Sequence, residues 1–284
     1  MKRLRILRIA LALVTFAFAN LFFFGVAAGA ELVFRFQLLP AVLALNVAAI
    51  AAVVGVTFCC GRVYCSVVCP MGVFQDVVIA LRRRFAKKGR RPRFAAPRHR
   101  WIFRGVTVAL TALLSAAGFV SLGALLDGYS LYGRIATQLL RPVWSLANNL
   151  LATALAQGGR PWLFREEIFV RGSCALVVAA VGLVGIVALA WWRGRWFCNA
   201  LCPVGAALAA VSSRPLVRLA IDDGKCVRCG LCAAACPCGA IDVRAKTVDN
   251  ASCVRCCDCL AACRKGALEI RGGCCKAVDA RFCS

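Results

Sequence analysis

Two groups of four cysteines in the C-terminal part of the sequence share a spacing that can wrap a metal cluster. Both follow C-x2-C-x2-C-x3-C: the first group is Cys226, Cys229, Cys232 and Cys236, and the second is Cys253, Cys256, Cys259 and Cys263. Proline follows the first group, whereas Arg264 follows the second. Closely spaced thiolates of this kind hold iron–sulfur cubes, and in two-cluster ferredoxins the fourth cysteine ligates the other cluster.

This crossed pattern predicts two 4Fe-4S clusters. The predicted ligands of the first cluster are Cys226, Cys229, Cys232 and Cys263, and those of the second are Cys253, Cys256, Cys259 and Cys236. Zinc is the less favoured alternative, because zinc sites usually use two C-x2-C pairs at longer separation. Bound metal would also help this segment to fold, since a chain of roughly 65 residues builds a poor core alone.

A second cysteine motif occurs twice, each time after a long apolar run. Residues 61–72 read GRVYCSVVCPMG and residues 194–205 read GRWFCNALCPVG. The two cysteines of each copy are four residues apart, so both sulfurs can share one helical face. Two thiolates do not complete the ligand shell of a metal or cluster, whereas two copies supply four. We therefore predict that two pseudo-symmetric halves bind a third 4Fe-4S cluster or a transition metal through Cys65, Cys69, Cys198 and Cys202.

The residues around these motifs leave alternatives open. Arg62 and Arg195 recur in the two copies and can offset the charge of an anionic cluster. Each cysteine pair can instead be a separate thiol site, or anchor its own cluster with further ligands such as Cys59 and Cys60. Five cysteines follow no spacing that requires a metal and are interpreted as spare thiols: Cys238, Cys257, Cys274, Cys275 and Cys283.

Histidine is nearly absent. His99 is the sole histidine, and the sequence contains no C-x-x-C-H motif. Haem held by a pair of histidines is therefore excluded, and most histidine-based zinc or copper enzymes are disfavoured.

The composition places these cysteines next to a membrane. Hydrophobic residues make up 62% of the 284 residues, against about 45–50% in soluble domains. Four runs reach the roughly 20 apolar residues that span a bilayer: residues 9–30, 38–58, 105–126 and 172–192. The first exceeds the apolar region of a signal peptide, the alternative interpretation. Asn20 and Asn46, near the middle of the first two runs, are interpreted as interhelical hydrogen-bonding residues.

Charge and cysteine placement predict the same orientation. Residues 82–100 carry ten Lys and Arg and no acid, and such basic loops mark the cytoplasmic side. Both termini are therefore predicted in the cytoplasm, with loops 31–37 and 127–171 outside. Nineteen of the twenty cysteines then lie at or beyond the inner membrane ends, where thiols stay reduced. Between two spans, the basic loop favours anionic lipid headgroups over nucleic acid as its partner.

These patterns predict an α-helical integral membrane protein with two domains. Residues 1–215 form four transmembrane helices in two pseudo-repeated pairs, and residues 216–284 form an α+β two-cluster ferredoxin-like domain. A short amphipathic helix follows Pro70, and a weaker counterpart follows Pro203, because proline suits the first helical turn. Residues 129–156 are predicted to form one or two helices along the outer interface.

The paired GRx[YF]CxxxCPxG motifs followed by a two-cluster ferredoxin domain resemble the membrane polyferredoxins. This family includes NapH and the C-terminal part of NosR, and CcoG is more distantly similar. The resemblance implies cluster-mediated electron transfer at the bacterial cytoplasmic membrane, with the twelve motif cysteines as ligands. It also implies redox partner proteins and a link to quinone.

Two functions are compatible with the sequence. The first is an electron relay between a cytoplasmic donor or acceptor and quinone or a partner subunit, with no substrate site of its own. The second is a metal-handling or assembly factor, for example a copper reductase that serves another redox enzyme. In that case the four motif cysteines would bind or reduce copper.

Overall fold

A computed structural model describes residues 2–26, 37–86, 93–94, 100–157 and 172–272. The predictions made for most of loop 31–37, for most of the basic loop 82–100, and for the residues His99, Cys274, Cys275 and Cys283 lie outside the described residues.

The described residues of the first half of the helical part form five helices. They are α1 (Lys2–Phe24), α2 (Leu38–Leu43), α3 (Val47–Cys60), α4 (Tyr64–Val67) and α5 (Pro70–Phe85). Helix α4 and the start of α5 carry the first cysteine motif. Pro70 opens α5, where its missing N–H costs no hydrogen bond, as predicted.

The second half repeats this arrangement with a longer middle section. Its helices are α6 (Arg100–Ala116), α7 (Val120–Gly123), α8 (Gly128–Ile135), α9 (Arg141–Gln157), α10 (Ser173–Arg193) and α11 (Pro203–Val211). A π-helical turn at Ala136–Leu140 joins α8 to α9, and a second at Phe197–Leu201 carries the first cysteine of the second motif.

Within the described ranges, two helices are long and apolar enough to cross a membrane, namely Arg3–Phe24 and Ser173–Arg193; Val47–Cys60 is apolar but shorter. These two correspond to the first and fourth predicted spans. The predicted spans 38–58 and 105–126 are not continuous helices, so four transmembrane helices are not confirmed.

The break in span 38–58 has a local cause. Leu45 has φ +51°, and Asn46 then caps α3 by accepting a hydrogen bond from Ala49 N at 3.1 Å. Asn46 is therefore a helix cap rather than the interhelical residue that we predicted. Asn20, by contrast, accepts a hydrogen bond from Tyr132 Oη at 2.8 Å, which confirms its interhelical role.

The break in span 105–126 reverses the chain. Gly118 takes φ +83°, which favours glycine, and α7 then folds back on α6, so that Gly123 lies against Thr111. As a result, Asp127 returns to the level of the first cysteine motif. The external position of loop 127–171 stays a prediction, but the first residues of this segment pack among the helices. Tyr132 and Ile135 are buried between α1, α5 and α10.

The C-terminal domain is small and α+β, as predicted. It contains β1 (Val217–Ile221), α12 (Leu231–Ala235), β2 (Ile241–Asp242), β3 (Thr247–Val248), α13 (Asp258–Ala262) and β4 (Leu268–Gly272). Two antiparallel pairs, β1–β4 and β2–β3, hold the cysteine loops between them. The contacts that tie this domain to the helical part include a hydrogen bond from Leu216 N to Phe58 O at 3.0 Å and an ion pair between Arg5 and Asp258 at 2.8 Å.

Candidate metal centres

The first ferredoxin-type set of thiols surrounds one cavity. Cys226, Cys229, Cys232 and Cys263 line a space of about 250 Å³ beneath the loop before α12. Cys263, from the other cysteine run, therefore lies with the first three around this cavity. Ala267 N donates to Cys263 Sγ at 3.3 Å. Cys229 is exposed, so this cavity opens close to solvent.

The second set surrounds a smaller, more enclosed cavity. Its lining includes Cys236, Cys253, Cys256 and Cys259, all of which are buried. Ala240 N donates to Cys236 Sγ at 3.4 Å. Burial raises the pKa of the Cys256 and Cys259 thiols well above the ordinary value, and neighbouring acidic groups and thiols raise it further. Such thiols ionise only when a positive group such as a metal compensates the charge.

The two membrane motifs, residues 61–72 and 194–205, pack against each other in a pseudo-twofold arrangement. Arg62 Nη2 donates to Cys198 O at 2.9 Å, and Arg195 Nη1 donates to Cys65 O at 2.8 Å. Each arginine thus holds the first cysteine of the other motif, and both guanidinium groups are fully buried. The predicted packing of two pseudo-symmetric halves is therefore visible in matching hydrogen bonds.

Two glycines allow close packing within each motif. A Cβ atom on Gly72 would lie 2.0 Å from Cys65 O, and one on Gly205 would lie 2.1 Å from Cys198 O. The terminal glycine of each motif therefore lets its own helix start pack directly on the preceding cysteine loop. Cys69 and Cys202 occupy the N-cap positions of these two helices, and Gly205 N donates to Cys202 Sγ at 3.4 Å.

The four motif thiols are buried together. Burial raises the pKa of Cys198 to about 12. Burial also raises the pKa of Cys69 well above the ordinary value, and the nearby thiols of Cys198, Cys65 and Cys202 raise it further. Among the described residues, no three Cys, His, Asp or Glu side chains converge closely enough to hold a single metal ion. That result also covers the two ferredoxin-type sets, where each set of thiols instead lines a cavity.

The surroundings of the motif thiols suit a buried negative group. Arg62 Nη2 lies 3.8 Å from Cys65 Sγ, and Gln75 Oε1 lies 3.6 Å from Cys198 Sγ. Arg62 Nε, Gln75 Nε2 and Asn199 Nδ2 are buried and have no hydrogen-bond partner within the described part of the chain. Unpaired buried donors are costly, and an anionic cluster among them would satisfy both the donors and the charge. The residues present therefore fit a 4Fe-4S cluster.

Asp127 is a site residue that sequence reasoning missed. It caps α8 by accepting hydrogen bonds from Ser130 N and Ser130 Oγ, both at 2.9 Å. Burial, followed by the Asp127 carboxylate, raises the pKa of Cys202, so this carboxylate lies near the motif thiols. The signal was present, since aspartate before glycine at the end of an apolar run is a typical helix N-cap.

Cys238 is the second residue that the sequence undervalued. It is buried and lines the cavity of the second ferredoxin-type set. It also lies near the motif centre, the site formed by the four thiols of the two membrane motifs. The hydrogen bond with Cys236 and burial raise the pKa of Cys238, whereas the charges of Arg195 and Arg62 lower it. Cys238 in turn raises the pKa of Cys198. Cys238 thus stands between the two sites rather than on a surface. Cys257 lines the same cavity, whereas Cys59 and Cys60 end α3, half-buried and exposed respectively.

The motif centre packs directly against the loops that carry the second ferredoxin-type set. Arg195 N donates to Pro237 O at 3.0 Å, next to Cys236, and Arg62 Nη1 donates to Ala251 O at 3.1 Å. Gly194 and Gly61 allow the approach, because a Cβ atom at Gly194 would lie 2.4 Å from Pro237 O and one at Gly61 would lie 2.7 Å from Arg255 Nε. Both glycines have positive φ.

Comparison with known families agrees with these sites. A family model described as "4Fe-4S binding domain" matches residues 42–88 and 175–219, and another with the same description matches residues 219–242. The first model covers both membrane motifs, and the second covers the first cysteine run. This chain is an iron–sulfur protein.

Named relatives support the predicted resemblance. The ferredoxin-type protein NapH of Escherichia coli is 28% identical over 70% of this chain and 55% of its own length. The methylamine utilization ferredoxin-type protein MauN of Paracoccus denitrificans is 31% identical over 62% of this chain and 48% of its own length. An uncharacterized protein of Methanocaldococcus jannaschii is 27% identical over 72% and 62%. The resemblance of this iron–sulfur protein to NapH-like polyferredoxins is confirmed.

The match is partial in extent. The chain spans about half to three fifths of the length of these curated relatives. No solved structure matches it.

Proposed function

We propose that this chain is a membrane-bound electron relay with three 4Fe-4S centres in a row. It exchanges electrons with a cytoplasmic redox partner at one end, and with quinone or a partner subunit in the membrane at the other. The observation that carries the proposal is the seating of the motif centre on the second ferredoxin-type set, through Arg195 N to Pro237 O and Arg62 Nη1 to Ala251 O.

The contacts support an order along the row. Cys229 of the first set is exposed, whereas the four thiols of the second set are buried. The motif centre lies beyond the second set, with the buried Cys238 between them. An electron that enters near Cys229 therefore meets the first set, then the second set, and then the motif centre.

The chain's own residues hold and tune these centres. When bound, 4Fe-4S clusters supply sites that accept and release one electron at a time. Arg62 and Arg195 offset negative charge at the motif centre, and Asp76 in turn pairs with Arg195 at 2.7 Å. Hydrogen bonds and charges around the ligands set reduction potential. The exclusion of water from the motif thiols keeps those interactions strong.

A cluster at the motif centre is preferred to a single ion. A cube of four irons separates its ligand sulfurs more widely than one ion does, and the four thiols do not converge on one point. The family model that spans both motifs carries a 4Fe-4S description. The copper-reductase alternative requires that these thiols hold or reduce one copper ion.

The membrane placement follows from the apolar helices and charge. Helices Arg3–Phe24 and Ser173–Arg193 can span a bilayer, and the basic segments at their inner ends favour the cytoplasmic side. The ferredoxin-like domain, with both termini, is then cytoplasmic.

Iron analysis combined with EPR tests the proposal. After anaerobic purification and reconstitution, three cubes give about twelve irons per chain and two give about eight. In the Cys65→Ser/Cys198→Ser variant we expect the loss of about four irons and of one redox transition in an EPR titration. Cys174→Ser, an exposed cysteine of α10, is the matched control and retains all three transitions.

Three results would contradict the relay. An iron content near eight in the native protein, with no change in the double variant, removes the third centre. Stoichiometric copper bound only by the native motif favours the metal-handling function instead. Absence of iron and acid-labile sulfide from reconstituted protein removes every centre.

A further inference from the structure

A basic groove runs beside the first ferredoxin-type set. Four arginines line it: Arg5, Arg83, Arg93 and Arg264. Asp258 is the one acidic residue among its described lining residues. The groove has a volume of about 560 Å³ and is open to solvent. It therefore offers a concave surface with a positive charge excess.

The groove and the first cluster cavity share a wall. Cys229, Gly230, Leu231 and Arg264 line both spaces. Cys229 is exposed, so a molecule seated in the groove lies within contact of a predicted cluster ligand.

The walls of the groove are held in place. Arg83 donates to Ala235 O at 2.7 Å and to Asp258 Oδ2 at 3.2 Å, and its guanidinium lies over the Phe94 ring. Arg5 pairs with the other oxygen of Asp258 at 2.8 Å. The single acid is thus engaged by two arginines, and the positive charge that faces the groove comes mainly from Arg93 and Arg264, both exposed.

Arg264 stands where the first cysteine run has proline. The equivalent Pro237 turns towards the motif centre and accepts a hydrogen bond from Arg195 N. Arg264, in contrast, lines the groove. The two loops of the ferredoxin-like domain therefore differ at this position according to what they face, one the membrane motif and the other the outside.

We propose that this groove docks an acidic one-electron carrier protein, which exchanges electrons with the first cluster through Cys229. This inference rests on the proposed relay function. In the donating direction, a 4Fe-4S cluster held by Cys226, Cys229, Cys232 and Cys263 would take up the one electron that the carrier loses, with no bond or proton transferred. Charge complementarity favours a protein with an acidic rim, because such charges steer association and set orientation. A flat anionic membrane surface would not fill a concave groove beside a cluster ligand.

Binding of an acidic probe tests this surface. The full chain is placed in nanodiscs of neutral phosphatidylcholine, and an acidic plant-type 2Fe-2S ferredoxin serves as the probe. We expect the double variant Arg93→Glu/Arg264→Glu to weaken binding by about tenfold or more, chiefly through slower association that depends less on salt. Arg244→Glu, the same type of substitution at one exposed residue that does not line the groove, makes half of that charge change and should change binding by less than twofold.

Three outcomes overturn the docking surface. The first is that the double variant binds the ferredoxin like the native chain. The second is that Arg244→Glu weakens binding as much as the double variant does. The third is that the groove substitutions reduce binding to anionic phosphatidylglycerol vesicles but not to the ferredoxin. The last outcome assigns the groove to lipid. The binding measurement does not require loaded clusters, so a failure of the relay function, seen as missing iron, is distinguished from a failure of the groove.

Discussion

At the scale of single residues, the two motif arginines explain why the same twelve-residue pattern occurs twice. Each arginine donates to the backbone of the other copy, to Cys198 O and Cys65 O respectively. A motif of this kind is incomplete alone, because its arginine would be buried without acceptors and its two thiols would lack partners. Repetition is therefore a structural requirement of the centre.

The terminal glycines of the motifs give the first prediction. In Gly72→Ala and Gly205→Ala the new methyl group would meet a cysteine carbonyl near 2.0 Å and 2.1 Å. Overpacking of this kind costs about 1–3 kcal/mol, so each variant should melt at lower temperature and lose the redox transition of the motif centre. Gly185→Ala, with open space around the new Cβ, is the control. Unchanged melting of Gly72→Ala contradicts the close contact.

Asp76 gives the second prediction. Arg195 and Arg8 together lower the pKa of Asp76, although burial alone would raise it. Asp76→Asn should cost about 2–3 kcal/mol, below the 3–5 kcal/mol of a fully buried pair, because the carboxylate is partly exposed. Asp223→Asn, at an aspartate whose side chain is 81% exposed, should change stability by less than about 0.5 kcal/mol.

The pH dependence of the Asp76 effect follows from its lowered pKa. A carboxylate whose native pKa is depressed contributes stability above its unfolded pKa, about 3.9, and loses it as the pH falls through the native value. Thermal melts at pH 7 and pH 5.5 should therefore show the same difference between native protein and Asp76→Asn. A difference that shrinks at pH 5.5 would show that Asp76 is not held ionised by Arg195.

At the scale of helices, α8 and α10 approach closely through a glycine. A Cβ atom on Gly182 would lie 2.8 Å from Leu131 Cδ1, and small residues commonly allow such contacts between apolar helices. This contact positions α8, whose first turn carries Asp127 towards the motif thiols. The segment that we predicted along the outer interface is thus a structural support of the centre.

Gly182→Val tests this helix contact. The substitution should lower stability by about 1–3 kcal/mol through overpacking, and it should shift the potential of the motif centre because α8 must move. Gly185→Val, almost one turn later on the same helix and without atoms near its Cβ, should change neither value. Equal melting temperatures for the two variants would rule out tight α8–α10 packing. The readouts are thermal denaturation in detergent and an EPR titration.

At the scale of the whole molecule, three cysteine sites form one assembly because the ferredoxin-like domain is docked on the motif centre. The contacts come from both halves of the helical part and from both cysteine runs. Neither domain therefore provides the complete row of sites alone.

The orientation of this assembly in the membrane gives the last prediction. Arg244 belongs to the ferredoxin-like domain, whereas Cys174 lies in the first turn of α10; both are exposed. In intact spheroplasts, a membrane-impermeant maleimide should label Cys174, and should label the Arg244→Cys variant at residue 244 only after permeabilisation. Peptide mapping by mass spectrometry locates the label. Labelling of residue 244 in intact cells would reverse the proposed topology.

The sequence alone determined the chemistry of this protein and much of its architecture. Cysteine spacing is a local property of the chain, and it predicted the iron–sulfur character that the family comparison confirms and the sets of thiols that line each cavity. Proline and apolar runs, also local, predicted α5 and four membrane spans, of which the first and the fourth correspond to long apolar helices in the described residues. The paired motifs predicted two halves that meet, because two thiolates need two more.

Only the tertiary structure decided what lies between these sites. The sequence could not show that Asn46 caps a helix inside an apolar run, or that the chain folds back after Gly118 and carries Asp127 to the motif thiols. It also could not distinguish Cys238, buried between two sites, from a spare thiol. The physical reason is that these roles depend on contacts between residues far apart in the chain, whereas sequence patterns report the spacing of neighbours.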